Sequence, residues 1–285
     1  MFTPTPLRRT YAAALRDLTS SKPAVRASAA ADMLSVGTDE PRAAADALAP
    51  LLADADSAVR AAALTSLGAL DARHLLDDIA RRLDDDHSTV RQMAAVALSD
   101  LGGDRALEAL RAALDHRYED VRYQALLGIV RAAPLEGFHA ALKTVDDADP
   151  WIAAESAEQL GYLLDPTLDP PLDLPPADRD RALATLRRAS DDRYTARARV
   201  GVLAAIALVR AGDVDAVDIV ASFARGELTV PGKDAAELRL DAIDALGAAR
   251  DHAEARAVLQ RLARSIIPTP ARAHARIALG ETSSS

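Results

Sequence analysis

Glu155 and Glu158 stand three residues apart in an alanine-rich amphipathic stretch, which places both carboxylates on one face of a helix. Two carboxyls so placed could share acid and base work, but a reaction would also need a nucleophile, a metal or a histidine beside them. The six histidines, His74, His87, His116, His139, His252 and His274, share no i, i+4 spacing, so no metal-binding helix is expected. Asp84-Asp85-Asp86 and Asp146-Asp147-Ala148-Asp149 gather carboxylates, yet adjacent side chains point apart and the central glycine of a calcium loop is missing. They read as solvated helix caps. Gly232-Lys233 is followed by Asp234 and lacks the upstream glycines of a phosphate-binding loop. Neither a Gly-x-Ser-x-Gly elbow nor a His-Glu-x-x-His helix occurs. The absence of cysteine excludes disulfides, thiolate metal sites and thiol nucleophiles. The expectation is a chain with no catalytic residues, no metal and no cofactor, in which Glu155 and Glu158 serve recognition.

The elements that would position such a site are set by a periodicity. A Val-Arg pair, or a close substitute, opens eight alanine-rich amphipathic stretches: Val25-Arg26, Val59-Arg60, Val90-Arg91, Val121-Arg122, Ile152-Ala153, Ala196-Arg197, Leu238-Arg239 and Ala271-Arg272. The spacings are 34, 31, 31, 31, 44, 42 and 33 residues, the range of a stacked repeat array. Each repeat reads as two antiparallel helices, the first with leucines at helical spacing and the second beginning at the pair. The acidic turns between them, such as Asp54-Ala55-Asp56-Ser57, suit helix N-caps. Pro150 and Pro270 sit where a first-turn proline is tolerated.

The Asp-rich turn, the Val-Arg pair and the run that follows, as in Val59-Arg60-Ala61-Ala62-Ala63 through Leu67-Gly68, resemble the HEAT-repeat family, in particular the short bacterial HEAT-like repeats of phycobilisome lyases. Gly161, Gly247 and Gly280 stand at the position of Gly68. The resemblance implies an all-α, right-handed α-α superhelix, a solenoid of about eight HEAT-like helix pairs. One domain over 1–285 is expected, with repeats at roughly 7–37, 38–70, 71–102, 103–133, 134–164, 178–212, 213–249 and 250–280 and a proline-rich insertion at 164–177. Arg26, Arg60, Arg91, Arg122, Arg197, Arg239 and Arg272 are expected to form a structural ladder, each reaching an aspartate in its own or a neighbouring turn. Ala153 should leave a gap in it.

Three irregularities fall on repeats 4 to 7. Six of the nine aromatic residues, Tyr118, Tyr123, Phe138, Trp151, Tyr162 and Tyr194, lie there. The segment Leu164 to Ala177 holds five prolines and should be an extended loop. Gly226 to Lys233 lengthens the turn inside repeat 7. Counting two, three and six residues from each pair gives the outward positions of the second helices, which are expected to line a concave groove. The candidate partner-binding residues are Tyr123, Leu127, Glu155, Glu158, Arg199, Asp241 and Asp244 on its wall, with Trp151 near its rim. Trp151 either covers the end of repeat 5 or packs under the proline-rich loop, or it stands as an exposed anchor.

With 43 acidic against 34 basic residues the net charge is −9, and the field of the chain repels phosphate backbones and anionic membranes. The N-terminal stretch lacks the apolar core of a signal peptide and no 18-residue apolar run occurs, so a cytoplasmic protein is expected. The functional expectation is a non-catalytic scaffold or adaptor. Its partner would be a peptide, helix or protein loop carrying an apolar anchor and basic residues. The family resemblance implies the alternative, a bilin lyase or lyase-accessory subunit.

Overall fold

The structure is a computed structural model that describes residues 9–232, 234–265 and 269–281. Readings made on Met1–Arg8, on Lys233 and on the tail Thr282–Ser285 lie outside the described residues. The described residues form sixteen α-helices, short 3-10 segments and no strand. The helices fall into two compact units, Met1–Ala133 and Pro134–Ser285.

The first compact unit holds four helix pairs: α1 (Tyr11–Asp17) with α2 (Pro23–Val36), α3 (Pro41–Leu48) with α4 (Ser57–Ala69), α5 (Leu76–Ala80) with α6 (Ser88–Leu101), and α7 (Gly103–Ala113) with α8 (Glu119–Ala132). Each second helix packs on the next, α2 on α4, α4 on α6 and α6 on α8, as in a helical-repeat solenoid. The second compact unit repeats the plan. It pairs α9 (Pro134–Thr144) with α10 (Pro150–Leu164), α11 (Pro176–Ser190) with α12 (Ala198–Arg210), α13 (Val217–Arg225) with α14 (Ala235–Ala248), and α15 (Ala253–Ala263) with α16 (Pro270–Ala278). Here α10 packs on α12, α12 on α14 and α14 on α16.

Local chemistry accounts for these elements. In α4 the Asp56 carboxylate accepts hydrogen bonds from the backbone N–H groups of Ala58 and Val59, satisfying two donors that the first turn leaves open. Asp149 does the same for Trp151 and Ile152 at α10. Val59, Ala63 and Leu67, at helical spacing, are fully buried. Burial of each of the larger two contributes about 1.5–3 kcal/mol. Prolines stand in the first turn of α2, α3, α10, α11 and α16, where their missing N–H costs nothing. The proline-rich loop is 165–175, one or two residues shorter at each end than its composition suggests, because Leu164 closes α10 and Pro176 opens α11.

The repeated arginines link successive turns. Arg26 donates Nε and Nη2 to the two oxygens of Asp54, each at 2.7 Å, and Nη1 to the Ser20 carbonyl. Arg60 donates to both oxygens of Asp85 at 2.9 and 2.6 Å, to Asp86 at 2.7 Å, and to the Asp54 carbonyl. Arg91 meets Asp120 at 3.1 Å and the Asp85 carbonyl at 3.0 Å, with the Tyr118 ring 3.9 Å beneath its guanidinium. Each guanidinium thus holds a carbonyl of its own turn and a carboxylate of the next repeat. Arg122 takes the carbonyl of His116, which occupies the place held by Asp54 and Asp85 in earlier repeats. Arg239 lies over the Phe223 ring at 6.0 Å. The turn that would face Arg239 and Arg272 includes residues 266–268, outside the described residues.

Two expectations about this ladder change. α2, α4, α6, α8 and α10 each begin two residues before the repeat valine or isoleucine, and α12 begins at Ala198. The residue at the valine position of repeat 6 is therefore Val200, fully buried, with Gly201 at the arginine position. The Ala196-Arg197 pair lies four residues upstream, with Arg197 at the N-cap of α12. From there Arg197 donates to the carbonyls of Asp147 at 2.8 Å and Val145 at 3.0 Å and to Asp192 at 3.0 Å. Asp147 is the carbonyl an arginine at position 153 would have held, so the next repeat fills the gap left by Ala153. Replacing Arg197 with alanine should uncap both carbonyls and lower stability by about 1–3 kcal/mol. The urea midpoint reads this, and a shift no larger than that of an exposed arginine would show water serving them equally well.

The glycine at the ninth position after the valine works through close approach. A side chain on Gly68 would meet the Ala97 backbone at 3.0 Å, one on Gly161 the Ala207 methyl at 2.7 Å, and one on Gly247 the Ala278 methyl at 2.9 Å. Consecutive second helices touch backbone to backbone at these points.

Candidate functional site

In the corrected register the equivalent row of each second helix, largely exposed on α10 and α14 but buried at Leu203 and Ile206 on α12, is read one residue before the valine position and three, six and ten residues after it. In the second compact unit these are Trp151, Glu155, Glu158 and Tyr162 on α10, Arg199, Leu203, Ile206 and Arg210 on α12, and Glu237, Asp241, Asp244 and Ala248 on α14. A row with an arginine at each end and two buried apolar residues between them thus lies between two rows that carry carboxylates. Tyr162 and Trp151 end the α10 row, 55% and 54% exposed.

Trp151 and Arg199 hold equivalent positions on adjacent repeats, which is why they meet. The Arg199 guanidinium lies 5.0 Å from the centroid of the Trp151 ring and donates to both oxygens of Asp234, at 2.9 and 2.6 Å. These bonds hold the Asp234 carboxyl below the usual carboxylate range. Gly232 brings the 226–234 loop against Trp151 and Arg199. This loop therefore meets α10 near its first turn, whereas the proline-rich loop leaves from the last turn, about 20 Å away along a helix rising 1.5 Å per residue. Trp151 is therefore not packed under the proline-rich loop, and its side chain is exposed.

Glu158 and Asp241 share a crevice with Gly161, Leu203, Ile206, Ala207, Arg210 and Leu238. Partial loss of hydration raises the Glu158 pKa, the charges of Glu155 and Asp241 raise it further, and Arg199 and Arg210 offset this only in part. Glu155 accepts a hydrogen bond from Gln159 at 2.8 Å. Asp244 is paired with His274 on α16 at 2.9 Å, so it is a contact between repeats rather than a bare wall carboxylate. Among the described residues no cluster of three or more His, Asp or Glu could hold a metal ion.

Tyr123 and Leu127 belong to α8 in the first compact unit and are half-buried. Leu127 lines a separate cavity of about 260 Å³ with Val96, Ser99, Gln124, Gly128 and Arg131. Arg131 donates to the Ser99 hydroxyl at 2.8 Å and to Asp100 at 2.7 Å across it. The candidate residues thus divide into this cavity and the α10–α12–α14 face. Leu203, Ile206 and Arg210 were missed by counting from Ala196-Arg197, and Asp234 lies ahead of α14, where that count does not reach. The apolar spacing Val200, Ala204, Leu208, matching Val59, Ala63, Leu67, carried the signal.

Residues 45–130 match the family described as HEAT repeats. That span runs from the second half of α3 through most of α8 and contains Arg60, Asp85, Arg91 and Asp120, so the matched segment includes two rungs of the ladder. No curated protein sequence matches the chain. Among solved structures, an engineered protein aligns with 94% of this chain and 77% of its own, at 20% identity and a TM-score of 0.49. The complex of CpcE and CpcF of phycocyanin lyase from Nostoc sp. PCC7120 aligns with 99% of each chain at 17% identity and a TM-score of 0.47. Likeness at this level adds nothing to what the helices themselves show.

Proposed function

We propose that the chain is a non-catalytic interaction scaffold that binds a peptide, helix or protein loop on its second-helix faces. The observation that carries this reading is the Trp151 arrangement. The side chain is more than half exposed, yet Arg199 and Asp234 fix its surroundings before any partner arrives. A large aromatic surface held in one orientation loses little freedom on binding and is the residue type that dominates interface energy. The flanking carboxylates favour a partner with basic residues, and the net charge of −9 disfavours nucleic acid. No described helix is long and apolar enough to cross a membrane, and we place the interaction in the cytoplasm.

Affinity capture from the native cell, with mass spectrometry, tests the reading when repeated with Trp151→Ala and Tyr123→Ala. Loss of Trp151 should weaken a captured partner by about 2 kcal/mol or more, some thirtyfold in Kd. A partner indifferent to both substitutions would overturn the assignment of these residues. A visible absorbance change on incubating the chain with a phycobilin would overturn the non-catalytic reading itself.

A further inference from the structure

The joint between α6 and α8 is built differently from those that the repeat glycine closes. Ser99 stands nine residues after Val90, where Gly68, Gly161 and Gly247 stand in their repeats. Here the glycine is on the facing helix: Gly128 of α8 makes room for the Ser99 Cβ, which lies 3.1 Å from where a Gly128 side chain would begin. The Ser99 hydroxyl donates to the Gly128 carbonyl at 3.1 Å and accepts from Arg131 at 2.8 Å. Beside this joint lies the cavity of about 260 Å³, whereas the joint of Gly161 with Ala207 leaves about 10 Å³. An apolar cavity of about 150 Å³ takes a benzene molecule, so this one has room for an aromatic ring and the first atoms of the chain that carries it.

The lining selects among side chains of that size. Val96 and Leu127, both half-buried, give it apolar sides. Gln124 and Arg131 stand seven residues apart on α8, about 10 Å along the helix, with Leu127 and Gly128 between them. At one end the Arg131 guanidinium is fixed by Ser99 and by Asp100, which balances its charge. No other charged residue lines the cavity, so neither a carboxylate nor an ammonium finds an uncompensated partner there. A guanidinium plane held in place favours an aromatic face over an aliphatic side chain. At the other end the Gln124 amide makes no hydrogen bond with any described residue and offers a donor and an acceptor to a peptide group.

We propose that this cavity seats a phenylalanine side chain of the partner, its ring over Leu127 and Gly128 against the Arg131 guanidinium and its backbone amide on Gln124. The proposal rests on the scaffold reading and makes the apolar anchor of the partner specific.

The test uses the full chain with ¹³C-labelled valine and leucine methyls, titrated with acetyl-Gly-Phe-Gly-amide and its leucine and glutamate counterparts. The phenylalanine peptide should shift the Val96 and Leu127 methyls saturably. The leucine peptide should bind at least ~3-fold more weakly, for want of the guanidinium–ring contact, and the glutamate peptide should not saturate. Val96→Phe, which fills the cavity from α6, should abolish binding with the circular dichroism of the parent. Gln124→Ala should weaken it ~5-fold, and this variant decides alone if Val96→Phe does not fold. Absent saturable shifts at Val96 and Leu127, or full binding by a folded variant, would overturn the proposal. A leucine or glutamate peptide binding as tightly would overturn the choice of an aromatic ring. A captured partner that is lost with Trp151→Ala but binds Val96→Phe with full affinity would leave the scaffold reading standing and remove this one. Phenylalanine-peptide binding with no partner captured would do the reverse.

Discussion

Arg60→Ala should lower the stability of the first compact unit by about 3–5 kcal/mol, the range for breaking a buried ion pair from one side. The Asp85 side chain is 3% exposed and takes two hydrogen bonds from Arg60. Burial alone would raise its pKa, yet the bonds from Arg60 and from the His87 backbone N–H outweigh burial and hold it below the usual range. Remove the guanidinium and the carboxylate is stranded, or must bind a proton. Replacing both partners, Arg60→Met with Asp85→Leu, should recover most of the loss, since no buried charge is then left. Urea unfolding followed by circular dichroism reads both, and a single variant within 1 kcal/mol of the parent would contradict the argument. The same geometry sets an acid limit. Asp54 is also held low, first by its bonds to Arg26. A carboxyl depressed in the folded state binds protons more readily when unfolded, so its contribution is complete above the ordinary aspartate pKa of about 3.9 and is lost as pH falls through the lower folded value. Stability of this unit should therefore fall at pH below about 4, and more shallowly in the variant carrying both Arg60→Met and Asp85→Leu.

Gly201→Ala should destabilise the second compact unit by up to about 3 kcal/mol, the upper range for overpacking, although alanine is the better helix former by about 1 kcal/mol. A methyl at this position would overlap the backbone nitrogen of Arg193 and lie 2.7 Å from its Cα. Those atoms belong to a 3-10 turn, Asp191–Tyr194, packed on α12, so relief requires moving main chain rather than turning a side chain. The displaced turn carries Asp192, a partner of Arg197, and both contacts should loosen together. Thermal unfolding decides the sign: a rise in Tm would show that the turn yields and that propensity wins.

The repeats that keep both their valine and their arginine were legible in the sequence. Val59, Val90 and Val121 fix the helix starts, and their arginines sit where turn carboxylates or carbonyls can reach them. Repeat 6 misleads because Arg197 answers the same electrostatic demand from outside the helix, serving the carbonyls of the preceding repeat. An arginine beside an alanine looked like a worn copy of the pair, while the apolar period that positions α12 begins at Val200. That four-residue slip moved Arg199 onto the groove wall and hid Leu203 and Ile206. Glu155, Glu158 and Asp241 were found because repeats 5 and 7 were in register. The ion pair of Arg199 with Asp234 was not legible, because it depends on how a loop of irregular backbone folds back on α12.

The ladder also bears on how such a chain can grow. Arg26, Arg60 and Arg91 each belong to two turns at once, closing their own and reaching for the carboxylate of the one that follows. A block copied from one acidic turn to the next carries a new acceptor for the arginine before it and a new donor for the turn after it. Duplication or loss of a 31-residue block among these repeats therefore keeps the joints chemically closed. The repeat is a portable part, and the number of copies is open to change in a way that the interior of a single-core protein is not.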